Sequence, residues 1–191
     1  KETAVVVPDY KHHNRYVMYA GEKNIRLAYS GDLKTWKIEE KPLIEPRNDF
    51  FDHDELEVGG VFQEKEHIIL IYYAKHGNKY TVGACIFDKK DPETVIWRSE
   101  EPLWSPPEEV HESKLSPLGI AIFNEQLILY WVVGETSVFA ASCPIPGRHV
   151  GLKDKIFSTI LNRFERNPII EPRPHVPWES RATFNSAAVY E

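Results

Sequence analysis

Carboxylates crowd two short stretches of this chain, Asp52-His-Asp-Glu-Leu-Glu57 and Glu108-Glu-Val-His-Glu112. Side chains of this kind activate or position water beside a reacting atom, and they also ligate calcium. The Asp52, Asp54, Glu55 and Glu57 cluster lacks the spacing and the glycine turn of a calcium loop, which disfavours the metal. Glu57 and Glu112 are the candidates for work on water, and solvated loop charges account for them equally well. Tyr73, Lys75 and His76 close a hydrophobic run and form a second group able to stack on a ligand and bond its polar atoms. A surface hairpin is the alternative for these three. Cys85 and Cys143 each lie inside an apolar run and in no zinc spacing, so two buried free thiols are expected.

The elements that must carry these residues announce themselves as a repeat. Lys41-Pro-Leu-Ile-Glu-Pro-Arg47, Glu101-Pro-Leu-Trp-Ser-Pro-Pro107 and Asn167-Pro-Ile-Ile-Glu-Pro-Arg173 share a Pro-Leu/Ile-x-x-Pro core, with first prolines 60 and 66 residues apart. Ten or eleven residues on, each copy has an aromatic or His before a carboxylate: Phe51-Asp52, His111-Glu112 and Trp178-Glu179. Repetition suggests a structural task, acceptance of backbone N–H groups at a tight turn, and that reading is favoured for Asp52 and Glu179. A third landmark follows in Val58-Gly-Gly-Val-Phe62, Gly119-Ile-Ala-Ile-Phe123 and Ser186-Ala-Ala-Val-Tyr190.

Between the landmarks lie short β-branched and aromatic runs, such as His67–Ala74 and Gln126–Val133, separated by turn residues. Strands recurring about every 60 residues predict radial four-stranded blades. The fold expected is all-β, of five-bladed β-propeller type, with about three blades present. Leu152, Ile156, Ile160, Leu161 and Phe164 recur at helical spacing and predict one amphipathic helix. The chain then divides into blades over 1–150, a helical linker over 151–166, and over 167–191 the first inner strand of a further blade or of a second copy.

The small residues of the third landmark suit innermost strands beside a crowded channel. Counting back five from Phe62, Phe123 and Tyr190 makes Glu57, Leu118 and Asn185 equivalent positions where such strands open. A formal charge of −6 disfavours nucleic acid and anionic membrane as partners. No apolar run approaches the ~20 residues of a membrane span.

Five stretches together resemble glycoside hydrolase family 130, β-mannoside phosphorylases and β-mannosidases: NIRLAYSGDLKTW, PLIEPRNDFFDHDELEVGG, LIYYAKHGNKYTVGACIFDKKDP, YWVVGETSVFAAS and RNPIIEPRPHVPWESRATFNSAAVYE. The resemblance covers nearly the whole chain and implies a five-bladed propeller acting on an oligosaccharide. It also implies a partial or permuted copy, because the FNSAAV stretch resembles an amino-terminal strand yet comes last. Missing blades would come from another segment or by self-association.

The resemblance implies roles as well. Glu57 falls in a V-E-x-G pattern of hydrolase-like members, and Glu112 matches a second carboxylate in P-E-x-x-x-E. Asp54, Tyr73, Lys75, His76, Arg181 and Asn185 become substrate-binding candidates, Asn185 through the F-N-P-x-A-V motif, in which Ser186 replaces the proline. The acid is expected in a segment for which Lys1-Glu-Thr-Ala-Val-Val is the counterpart. Phosphorylase members carry a phosphate-binding Lys where Glu55 stands, so the sequence leans to inverting hydrolysis, with inorganic phosphate as the co-substrate of the alternative. No cofactor is required, since carboxylates suffice for the chemistry. A non-catalytic carbohydrate-binding propeller is the rival from another class.

Overall fold

The computed structural model describes residues 3–77, 79–105, 115–134, 137–145, 162–166, 168–170 and 175. The chain divides into two compact units, 1–105 and 106–191.

The first unit holds two four-stranded antiparallel sheets. One runs β1 (Thr3–His12), β2 (Arg15–Gly21), β3 (Arg26–Ser30), β4 (Lys37–Ile38), and the other β5 (Glu55–Glu64), β6 (His67–His76), β7 (Lys79–Asp88), β8 (Val95–Arg98). The second unit repeats the plan with β9 (Leu115–Phe123), β10 (Gln126–Val133), β11 (Ser137–Pro144) and β12 (Asn162–Arg163). Sequence neighbours are sheet neighbours throughout, which is the blade unit of a propeller. Two-residue hairpins join the first two strands of each sheet, pairing His12 with Arg15, Glu64 with His67 and Phe123 with Gln126. His13–Asn14 and Asn124–Glu125 have positive φ at both central positions, the twist-matched turn for such a hairpin.

The proline repeat has one structural task in all three sheets. The residue after each first proline donates its N–H to a residue just before or within the third strand. Leu43 gives to Ile25 O at 2.8 Å, Leu103 to Val82 O at 2.7 Å and Ile169 to Val138 O at 2.7 Å. The same three residues donate back to Ile44 O, Trp104 O and Ile170 O at 2.9 Å. The preceding proline has no N–H and favours an extended entry, so the clip forms there and goes no further back.

Two expectations change. Asn162–Arg163 pairs antiparallel with β11, so the end of the stretch with helical spacing is an edge strand. Residues 151–161 lie outside the described residues. Ile170 bridges Val138, which ties 168–170 to this same sheet, while the further inner strand expected at Ser186–Tyr190 lies outside the described residues.

The two sheets of the first unit pack through Val17, Tyr19, Leu27 and Tyr29 on one side and Leu56, Val58, Ile68, Leu70, Tyr72 and Phe87 on the other. Three tyrosines of the first sheet also reach a single turn of the second. Tyr10 donates to Lys89 O at 2.5 Å, Tyr19 to Pro92 O at 3.2 Å and Tyr29 to the Glu93 carboxylate at 3.1 Å. Each phenol thus buries its ring in the core and satisfies its hydroxyl, Tyr19 in a buried setting and Tyr10 and Tyr29 at the rim.

Candidate active site

Glu57 sits in the first turn-free stretch of β5, and the neighbouring sheet holds its backbone on both sides. Leu56 N donates to Lys23 O at 3.2 Å, Val58 N donates to Thr3 Oγ1 at 2.7 Å, and Glu57 itself bridges Glu22. Thr3 Oγ1 in turn donates to Gly21 O at 3.1 Å. The strand's opening is therefore fixed by β1 and by the β2–β3 turn.

Side chains alternate across a strand, so the ladder decides which candidates meet. Glu57 is registered with Tyr73, Glu55 with Lys75, and Lys75 with Tyr80, which puts all five on one face. Lys75 Nζ binds Glu55 Oε2 at 3.2 Å, and this contact raises the Lys75 pKa. Glu57 is partly buried, and burial raises its pKa; Lys75 pulls it down, while Glu55 and Glu22 push it up again. Burial raises the Tyr80 pKa, and the nearby Glu57 charge raises it further. Tyr80 meets the ring of Tyr73 edge to face, with centroids 6.4 Å apart.

Tyr73 is almost wholly buried. A Cβ on Gly59 would lie 2.9 Å from Tyr73 Cε2 and 3.0 Å from Ile71 O. Gly59, expected to be small because of a crowded channel, is small because this ring lies across it, at the bulge between Val58 and Gly60. The ring accordingly offers no open stacking face.

Asp54 and His76 meet at the ends of the same strands, His76 Nδ1 to Asp54 Oδ2 at 3.1 Å, with the His53 and His76 rings 5.0 Å apart. Glu112, Arg181 and Asn185 lie outside the described residues. Among the described residues no three His, Cys, Asp or Glu side chains are grouped to hold a metal.

The equivalence by counting also shifts. Registered through the hairpins, Glu57 opposite Tyr73 corresponds to Ser116 opposite Val132 and to Thr3 opposite Gly21. Leu118 is instead the bulge residue and the counterpart of Gly59. Phe62 and Phe123 stand two places apart relative to their hairpins, which misaligned the count.

The opposite face carries a network that residue spacing did not reveal. Asp52 is fully buried and accepts from Arg47 Nε at 3.0 Å and Nη2 at 2.9 Å, from Arg98 Nη2 at 2.6 Å and from Tyr72 Oη at 2.7 Å. Its task is structural, as the repeat suggested, but its partners are side chains rather than turn N–H groups. Arg98 also donates to Glu45 O at 2.8 Å, which joins the proline repeat to β8. Arg47 recurs as Arg173 in the repeat, the one signal for this network in the sequence.

Comparison with known proteins agrees with this architecture. The family described as beta-1,4-mannooligosaccharide phosphorylase matches residues 2–133. A 1,2-beta-oligomannan phosphorylase of Thermoanaerobacter sp. (strain X514) is 34% identical over 99 residues, 50% of this chain and 33% of that one. The structure of a glycosyl hydrolase from Bacteroides ovatus superposes with a TM-score of 0.65 at 25% identity, over 76% of this chain and 48% of that one. The beta-1,2-mannobiose phosphorylase of Listeria innocua shares the fold, with a TM-score of 0.65 at 20% identity over 76% of this chain and 45% of that one. The chain thus spans a third of the curated relative and about half of these solved structures. With its repeated four-stranded blades and a family match over more than half its length, the chain belongs to glycoside hydrolase family 130.

Proposed function

We propose that this chain is part of an enzyme that cleaves β-mannosidic linkages, with Glu57 as a carboxylate that takes a proton from the attacking water. The observation that carries the reading is Glu57 itself. It stands at the opening of a first strand, backbone-locked by the adjacent blade, with a proton affinity raised by burial. A base of raised pKa accepts a proton more readily at neutral pH. Inverting hydrolysis needs a water between base and sugar and an acid on the leaving oxygen. Glu112 is the proposed second carboxylate, and Asp54, Lys75, His76, Arg181 and Asn185 the proposed sugar contacts.

Phosphorolysis is the second reading. Lys75 neutralises Glu55 at 3.2 Å, which removes much of the repulsion Glu55 would exert on phosphate, and the curated relative is named a phosphorylase. Chromatography of β-1,2- and β-1,4-mannobiose incubated with the protein, with and without phosphate, separates the two. Free mannose in both conditions supports hydrolysis. Mannose 1-phosphate formed only with phosphate supports phosphorolysis. Binding of mannobiose without any product would end both and leave a carbohydrate-binding role.

A further inference from the structure

Tyr73 carries a group that the fold does not explain. Its hydroxyl is buried with no hydrogen-bond partner among the described residues. An orphaned buried hydroxyl is costly, and phenylalanine would fill the same space without that cost. The surroundings are otherwise adapted to the ring. Gly59 leaves room that a Cβ would take, and Tyr80 braces the ring from its edge. The adjacent Tyr72 provides the contrast. Its ring lies across Gly83, where a Cβ would come within 2.3 Å of Tyr72 Cζ, but its hydroxyl is spent on Asp52 at 2.7 Å. Two neighbouring tyrosines each cross a glycine, on opposite faces of one sheet, and only one of them has its hydroxyl engaged.

Directly across the ladder from Tyr73 stands Glu57, whose charge acts on the Tyr73 phenol. A donor without an acceptor and a partly buried carboxylate thus share one face, with Tyr80 on the same face. A buried water settles where two or more polar groups converge in this way. We propose that Tyr73 Oη and the Glu57 carboxylate jointly hold one water molecule, with Tyr73 as the residue that positions it. Tyr73 donates to the water oxygen, and the water donates to Glu57. One lone pair of the oxygen remains free. The charged groups facing Glu57 are Lys75, Glu55 and Glu22, and Tyr80 completes its surroundings. The inference deepens the hydrolytic reading, since this is the water Glu57 would activate, but the site itself stands without it.

The test has two arms. A high-resolution crystal structure of the protein shows an ordered water within hydrogen-bond distance of both Tyr73 Oη and Glu57, and the Y73F structure lacks it with the ring unmoved. Density empty beside Tyr73 Oη, or filled by a protein group, overturns the proposal whatever the activity. In the second arm Y73F lowers kcat for mannobiose hydrolysis about tenfold, the loss of one hydrogen bond in the transition state, with KM nearly unchanged. A merely structural hydroxyl predicts the reverse, a more stable Y73F protein with unchanged kcat, and that result also overturns the positioning role. A water seen in the crystal of a protein that does not hydrolyse mannobiose leaves the site intact and defeats the hydrolytic reading alone.

Discussion

Arg98 reaches Asp52 across 46 residues of chain, and its Nη2 lies 2.6 Å from Asp52 Oδ2. With Arg47 and Tyr72 on the same carboxylate, the contact joins the proline repeat, the segment before β5, β6 and β8 into one buried knot. Removing one partner of such a set leaves charge buried and unpaired, which costs about 3–5 kcal/mol. D52A is therefore expected to unfold well below the wild type in a thermal melt, by roughly 10 °C for a chain of this size. Y72F removes the hydrogen bond to Asp52 and the longer one from Arg98 Nε at 3.3 Å, and costs about 1.5–3 kcal/mol by the same measurement.

Gly83 is expected to tolerate no side chain. A Cβ there would stand 2.3 Å from Tyr72 Cζ and 2.5 Å from its hydroxyl, and the ring is fully buried and tethered to Asp52. G83A should destabilise by about 1–3 kcal/mol through overpacking. Combining it with Y72F should cost less than the sum of the two, because both act on one contact. Denaturant titration of the four proteins reads this directly.

For E57Q the expectation is folded protein with hydrolysis reduced about 10²–10⁴-fold, the range for loss of a general base. The stability effect has a definite sign. Burial raises the Glu57 pKa in the folded protein above its ordinary value of 4.5, so folding favours the protonated form. That contribution is complete below the ordinary value and is lost as pH rises through the raised one. At pH 7 the charged, half-buried carboxylate is a liability, and E57Q should be at least as stable as the wild type there. The advantage should vanish below pH 4.5. Melting curves across pH measure it, and an E57Q protein less stable at every pH would contradict the raised value.

Cys85 and Cys143 are free thiols, and burial pushes both up to about 12. The thiolate is the reactive species, so neither should react with a thiol-specific disulfide reagent at pH 8 until the protein is unfolded. Two thiols should then titrate together with the loss of structure. Fast reaction of the native protein would mean that a strand interior opens.

Tyr19 illustrates how the blades of the first unit hold together. Its hydroxyl donates to Pro92 O at 3.2 Å in a fully buried setting, 73 residues away. Y19F should cost about 1 kcal/mol, one ordinary hydrogen bond, and Y10F less, since Tyr10 binds at the partly buried rim. Hydrogen exchange localised to the Lys89–Glu93 turn would show the loosening where it occurs.

Local rules are written along the chain, and they were readable there. The proline repeat, the alternation of apolar residues and the two-residue turns predict strands and blades, because each depends on neighbours a few residues away. Glu57 was legible for the same reason, through its place before Gly59-Gly60. Other features were decided only when distant strands met. The register is set by hairpins and bulges, so Glu57 corresponds to Ser116 and Thr3 rather than to Leu118, a displacement that no count of residues shows. Asn162–Arg163 became an edge strand because β11 offered an unpaired row of backbone groups to pair with. Arg47, Arg98 and Tyr72 converge on Asp52 because partners for buried charge and polar groups are chosen by three-dimensional distance. Blade and repeat follow from neighbours along the chain; which side chains share a face follows from the folded sheet, since only there do residues 20 or more places apart come into hydrogen-bond range.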